Sequence, residues 1–356
     1  MALQFQVGNV RIEIEEAPAL KFPGDGTGGT DCNSPCWWSG GLLYMLNSTG
    51  HPWRSSGPDV NRLSSSGPIT YTNTIDGGRW IESVHQEPDG TLYGWYHNEP
   101  EKMIPEAVQQ GRPNRLTAPF IGAVVSRDNG VTWDDQGMLI SGGPGTLNYA
   151  TLNYYFAGGN GDFSVILDRQ GEYFYFLMGT YYKDVAQQGI ALARLRFADR
   201  ADPLGKVMKW HNGAWQAPGL GGEVTPILPA RSDWNGPQPD TFWGPSVHWN
   251  TAIQQYVILL NRAIGPRWER EGIYLCLTPD ISDPNSWTEP LRILDAPGWY
   301  PQVVGCDTSK HETEREAGEL CRLFIHGRSN YTLRLRTERV LFAQAQREED
   351  GGEQPG

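Results

Sequence analysis

Four acidic residues, Asp31, Glu82, Glu99 and Asp162, stand at the ends of short aromatic and β-branched runs in the first half of the chain. Hydrolysis of a glycosidic bond is chemistry that such a set can serve. It needs one carboxyl group protonated to release the leaving oxygen and a second one ionised to attack or to activate water. A further carboxylate nearby raises the pKa of the acid by repulsion and keeps it protonated near neutral pH. On this basis Asp31 is expected as base or nucleophile, Glu82 or Glu99 as acid, and Asp162 as the group that orients the sugar and tunes the acid. Plainer roles exist. Asp31 follows a Gly-rich stretch and can accept backbone N–H bonds in a turn, Asp162 can cap a turn of its own, and Glu99 can open a solvated loop. Glu82 is harder to dismiss, because a carboxylate between Ile81 and Val84 must be buried or axial, and unpaired burial is costly.

Groups able to hold a ligand fall at similar places. Trp80, Trp243 and Trp299 recur at the openings of the runs, where an indole face can stack on a sugar ring, although core packing uses Trp equally well. His97, Tyr181 and Tyr300 are further binding candidates. Arg262 and Arg328, if both point inward, would favour an anionic substituent through bidentate hydrogen bonds; surface ion pairing is the alternative for either.

The elements that would position these residues form a repeat. Segments 31–48, 80–97, 162–179, 244–261 and 300–327 share one layout: a short apolar run, often containing Ser-Val or Pro, then a turn, then a second aromatic and β-branched run. Their starts are spaced like four-stranded propeller blades with loops. Segments 121–139, 190–215 and 272–294 supply outer strands, with Trp133, Trp215 and Trp287 just past their turns. The alternating patterns at 10–16, 331–336 and 340–345 let one end of the chain close the last blade against the other, which removes exposed sheet edges. The expected architecture is all-β: a five-bladed β-propeller in a single domain over 1–346, followed by a flexible tail at 347–356. Inner-strand starts and second-strand ends then meet at the top of the axis. The long insertion 100–119 leaves that same face and would wall or cover the pocket.

Composition supports this class and excludes others. The 356 residues include 43 Gly, 26 Pro and 14 Trp, as suits many short strands and turns. A net charge of -12 without a basic stripe argues against nucleic acid. No run approaches the roughly 20 apolar residues that span a bilayer, so no membrane partner is expected, and the state should be a monomer or small homo-oligomer. Five cysteines allow at most two disulfides; Cys306 and Cys321 flank a polar segment and are either a hairpin bridge or two buried thiols. Cys32 and Cys36 lack a second Cys or His pair at zinc-like spacing. His85 and His248 share a column after Ser-Val, but no further His completes a ring, so no metal ligand is assigned. No cofactor is required, though the central channel leaves room for a structural cation.

Residues 126–133, SRDNGVTW, match the Asp-box of sialidases and related propellers at each fixed position. That resemblance implies a structural hairpin turn away from the axis. The blade openings Asp162-Phe-Ser-Val, Gly244-Pro-Ser-Val and Tyr300-Pro-Gln-Val resemble those of the five-bladed glycosidases, the arabinanase, xylosidase and fructosidase group, in which acidic residues line the axis. The resemblance implies a glycoside hydrolase acting on a poly- or oligosaccharide. Its pattern often carries Glu before Gly-Pro in a later blade, and here that position is Trp243. A non-catalytic carbohydrate-binding propeller, or a phosphorylase or lyase using the same pocket, is the alternative, since one fold hosts many functions.

Overall fold

The computed structural model describes residues 2–24, 30–295 and 298–338, and over these the repeats fold as five β-sheets. The inner strands are Cys36–Ser39, Gly78–Gln86, Asn160–Leu167, Thr241–Asn250 and Pro301–Gly305. Each turns back antiparallel into a second strand, respectively Leu42–Ser48, Leu92–Glu99, Tyr173–Thr180, Gln255–Ala263 and Leu320–Ile325. Inner-strand starts and second-strand ends therefore share one face, called the top here; in the first blade the Asp31 amide donates to the Ser48 carbonyl at 2.7 Å.

The fifth blade closes the ring. Its third strand, Arg328–Thr337, pairs antiparallel with Val10–Lys21, which pairs in turn with Leu3–Val7. Both outer strands of that blade are thus N-terminal, so the chain ends hold each other across a full sheet width. Residues 340–345, expected in this closure, lie outside the described residues, as do 25–29 and the tail 347–356.

Alternation along each strand sends apolar side chains into the gaps between blades, and each gap has its own core. Trp37, Ile81 and Trp133 pack between blades one and two, Trp95, Phe163 and Phe176 between two and three, and Tyr175, Val247 and Ile258 between three and four. Leu259, Leu275, Val303 and Leu333 fill the fourth gap, and Cys36, Met45 and Phe324 the last. Near the axis the recurrent Ser-Val pairs have a clear purpose. The Val165 amide donates to Ser83 Oγ at 2.8 Å and the Val247 amide to Ser164 Oγ at 3.2 Å, so each serine ties its blade to the next. In the first blade the Ser34 amide donates to Gln302 Oε1, and Gln302 Nε2 donates back to the Ser34 carbonyl.

Segment 306–319 lies across the bottom of the axis. Glu314 accepts the Cys36 amide at 2.8 Å, Arg315 O accepts the Trp249 amide, and Glu316 pairs with Arg169 at 2.8 Å, which joins blades one, three and four to blade five. Cys306 and Cys321 beside it are free thiols, as are Cys32, Cys36 and Cys276, so of the two readings for the former pair the thiols are what the structure contains.

Residues 126–133 form the hairpin between the third and fourth strands of blade two, Phe120–Ser126 and Thr132–Ile140, at the end of the axis opposite the top. Asp128 Oδ1 accepts the amides of Val131 and Thr132 at 3.1 and 2.9 Å, and Trp133 is fully buried beneath the turn. Asp128→Ala should therefore cost on the order of 1 kcal/mol of stability, measured by denaturant titration, with no change in ligand binding or turnover.

Candidate active site

All four acidic candidates come together at the top of the axis, and β-bulges aim two of them. The pairing of Gly78–Gln86 with Leu92–Glu99 slips between Ile81 and Ser83, leaving Glu82 as the extra residue. The third blade slips between Gly161 and Phe163, leaving Asp162, whose φ of 45° is left-handed. A bulge leaves one residue unpaired and re-aims its side chain while bending the strand locally. Tyr300, just before the fifth inner strand, is also left-handed at φ 55°. Such conformations cost about 1–3 kcal/mol each and persist where surrounding structure imposes them.

Glu82 is sealed. One oxygen bonds His97 Nδ1, and the other accepts the amides of Asn33 at 3.4 Å and Phe163 at 3.3 Å. Burial pushes its carboxyl above the ordinary range, opposed by His97 and by those two amides. Burial also works against the His97 imidazolium, yet the Glu82 carboxylate, with Glu99, holds its pKa well above the usual value. Two amides donating to one carboxylate favour its ionised form. The proton of the pair accordingly sits on the ring. On the other side, His97 Nε2 lies 3.7 Å from Glu99, and Trp80 stacks on the ring at 4.6 Å and 13°.

Asp31 and Asp162 differ from Glu82 in having no cationic partner of their own. Burial raises Asp31 to about 7, with the charges of Asp162 and Glu99 adding to the effect, while His97 and a Tyr300 hydrogen bond oppose it. Asp162 is raised to about 7 chiefly by burial and by the charges of Glu82 and Glu99, against His97 and a 2.6 Å bond from the Tyr181 hydroxyl. Asp31 is the more open of the two; Asp162 is 3 % exposed. Two carboxyl groups that repel each other and titrate near neutrality can divide one proton between them.

Other sequence-based candidates fall elsewhere. Trp243 is buried among Trp268, Trp299 and Tyr300, so it offers core packing rather than a sugar platform, and no carboxylate replaces it at the Gly-Pro bulge. Trp80 spends one face on His97, and part-buried Trp299 packs edge-on against Trp243 and Tyr300. Arg262 does not reach the acidic cluster: its fork bonds both oxygens of Asp240 at 2.7 Å, and Glu271 lies 3.5 Å away. Arg328 lines a cavity of about 890 Å³ between blades four and five, beside Arg292, Ile325 and Tyr331. Among the described residues, the lining of that cavity holds Asp295 as its one carboxylate, whereas four carboxyl groups converge at the axis. His248 is buried in the fourth inner strand and burial lowers it to about 3; His85 faces Glu87 at 3.5 Å. Among the described residues no group of three or more His, Cys, Asp or Glu is arranged to hold a metal ion.

Two features went unread in the sequence. Asn33 crosses the axis, its amide donating to the carbonyls of Phe163 and Pro245 at 2.8 Å each, and forms the floor of the site. Trp234, in the loop from the third blade to the fourth, and Trp268, in the loop between the second and third strands of the fourth blade, pack with Tyr181 into the wall beside Asp162. The local signal for both was a bulky or polar residue isolated among Gly, Pro and Asn, which alone does not tell a wall from a surface loop.

Residues 100–119 are a fixed part of that wall. Ile104, Leu116 and Ala118 form a small core with Ala157, Arg112 donates to the carbonyls of Tyr149 and Thr151, and the Thr117 amide donates to Tyr155 O. Asn153 then holds the Tyr155 and Phe156 amides at 2.9 Å each and the Trp268 indole at 3.3 Å. A segment with a core of its own is tied to stability as well as to binding. Leu116→Ala should cost about 2 kcal/mol or more and weaken ligand binding with it, read from thermal unfolding and sugar titration of one preparation.

No protein-family model matches the chain, and no curated protein matches it in sequence. In three dimensions it is similar to an endo-arabinase from Bacteroides thetaiotaomicron, with a TM-score of 0.52 at 9% identity over 87% of this chain and 95% of that one. An exo-1,5-α-L-arabinanase from a bovine ruminal metagenomic library gives 0.51 at 11% identity, covering 87% and 93%. A thermostable family-43 glycoside hydrolase gives 0.50 at 11% identity, covering 85% and 88%. At such identities the likeness establishes the shared fold and carries no residue correspondence.

Proposed function

We propose that this protein hydrolyses O-glycosidic bonds of a carbohydrate, with Asp31 and Asp162 as the working acid–base pair. The observation that carries the reading is the convergence at the axis of carboxyls from three blade openings, two of them raised to about 7. One then holds a proton for the leaving oxygen while the other is charged and available to the anomeric carbon or to a water. Asp31, the more open, is the base or nucleophile, and Asp162, oriented by Tyr181, is the acid. This reassigns the acid from Glu82, which is enclosed by three donors. Glu99, at the mouth, contacts the sugar, and Trp299 provides its stacking face. The fold shared with arabinanases is consistent with this activity.

The bound sugar is neutral. Four carboxyl groups face one imidazolium, so a uronate would meet repulsion, and Arg262, which could have received an anionic substituent or phosphate, is engaged by Asp240. That occupation also disfavours phosphorolysis. A pure binding module has no use for two carboxyls held near neutrality at an energetic cost.

The test is a screen of aryl glycosides and neutral polysaccharides with the purified protein, using the Asp31→Asn/Asp162→Asn double variant as the control for contaminating activity. Turnover by the wild type alone supports hydrolysis. Sugar binding without turnover on any substrate would replace it with the binding-module reading.

A further inference from the structure

Among the largest influences on both Asp31 and Asp162, one group lowers both pKa values by its charge, and it is His97. Its position is built rather than incidental. The ring is 3 % exposed, Nδ1 is held by Glu82, Nε2 faces Glu99, and Trp80 covers one face. Glu82 is in turn fixed by amides from the first and third blades, at the bulge of the second. Nδ1 is taken by Glu82, while Nε2, 3.7 Å from Glu99, faces the carboxyl cluster. The charges facing the ring are Glu82 from the neighbouring inner strand, Glu99 from its own strand, Asp31 from the first blade and Asp162 from the third.

We propose that His97 is a positioning residue: held as a cation by Glu82, it is the built-in counter-charge that lets Asp31 and Asp162 work as one protonated and one ionised carboxyl at neutral pH. The proposal rests on the acid–base reading above. Without a cation, four carboxyls at one point relieve their repulsion by binding more protons, and no charged base remains. With the cation in place, the ring balances the Glu82 carboxylate and a proton remains for Asp31 and Asp162 to divide. Glu82 then acts through His97 and never meets substrate.

His97→Asn tests this, because the shorter amide keeps an N–H for Glu82 but removes the charge. The measurements are the pH–rate profile with an aryl glycoside cleaved by the wild type and the ¹³C carboxyl titrations of Asp31 and Asp162. Both limbs, and both carboxyl titrations, should move up by about one pH unit or more, with turnover at the new optimum within about tenfold of wild type. A raised KM with unmoved limbs would make His97 a sugar contact. A uniform loss of rate with unmoved titrations would make it packing. Either overturns the proposal. If no substrate is cleaved, the acid–base reading falls, yet the carboxyl titrations still decide the charge effect. Should the variant fail to fold, the wild-type ring decides: both ¹⁵N resonances of His97 should remain those of an imidazolium from pH 6 to pH 8, and a neutral ring at pH 7 would end the idea.

Discussion

Asp31→Asn and Asp162→Asn should each lower kcat by about 10²-fold or more while the protein stays folded and sugar binding stays within a few-fold of wild type. The amide preserves the shape of the carboxyl, and the Tyr181 hydroxyl can still donate to its oxygen in place of Asp162. What is lost is the ability to release a proton or to carry charge at the reacting centre. The two losses should be far from additive, since groups acting on one bond fail together. The variants differ in how they are rescued. Azide should restore turnover to Asp31→Asn, because a small anion can attack where the carboxylate did. A substrate with a very acidic leaving group should restore it to Asp162→Asn, because such a group departs without a proton. Full activity in both variants would move the chemistry to Glu99 or remove hydrolysis altogether.

The same substitutions should make the protein more stable at pH 8 and leave it unchanged near pH 4. Both carboxyls are raised from 3.8 to about 7 in the fold, so the folded state retains protons that the unfolded chain has released. For a raised acid, folding is penalised progressively as pH climbs from about 4 to about 7, and the full penalty applies above that. An amide carries no such penalty. The gain should be on the order of a few kcal/mol at pH 8, since one pKa unit corresponds to about 1.4 kcal/mol, and should vanish below the unfolded pKa. Wild-type stability is a poor guide here. His85 and His248 are both lowered to about 3 by burial and contribute stability that rises over a window overlapping the carboxyl one. The difference between variant and wild type at each pH, from urea titrations, isolates the carboxyls. A variant equally destabilised at both pH values would mean that the carboxyls are structural hydrogen-bond partners, and the strain attributed to the site would be absent.

How much of this was legible beforehand follows from which interactions are local. The five blades were readable because each is a hairpin of alternating residues with its own turn signal, such as Asp89-Gly90 between Gly78–Gln86 and Leu92–Glu99. The Asp-box turn was readable because its hydrogen bonds join residues within five positions of one another. Closure from the chain ends was readable as alternation, but its form was not: the N-terminus supplies two strands rather than one, a count set by pairing across more than 300 residues. The Ser-Val recurrence was visible without its purpose, because Ser83 and Val165 meet only when neighbouring blades are side by side.

For the site, the sequence by itself determined the inventory: Asp31, Glu82, Glu99 and Asp162 at strand ends that a propeller brings to one face, with His97, Tyr181 and Tyr300 beside them. Only the tertiary structure decided their surroundings. Whether a carboxyl is an acid, a base or a buried counter-ion depends on its solvent access and on the charges within a few ångströms, and those charges come from other blades. Glu82 became the partner of His97 because amides from blades one and three close over it. Arg262 was removed from the axis by Asp240, and Trp243 by a loop carrying Trp268. None of these contacts is encoded within reach of the residue it affects, and electrostatic energy in a buried site is set by just such distant neighbours.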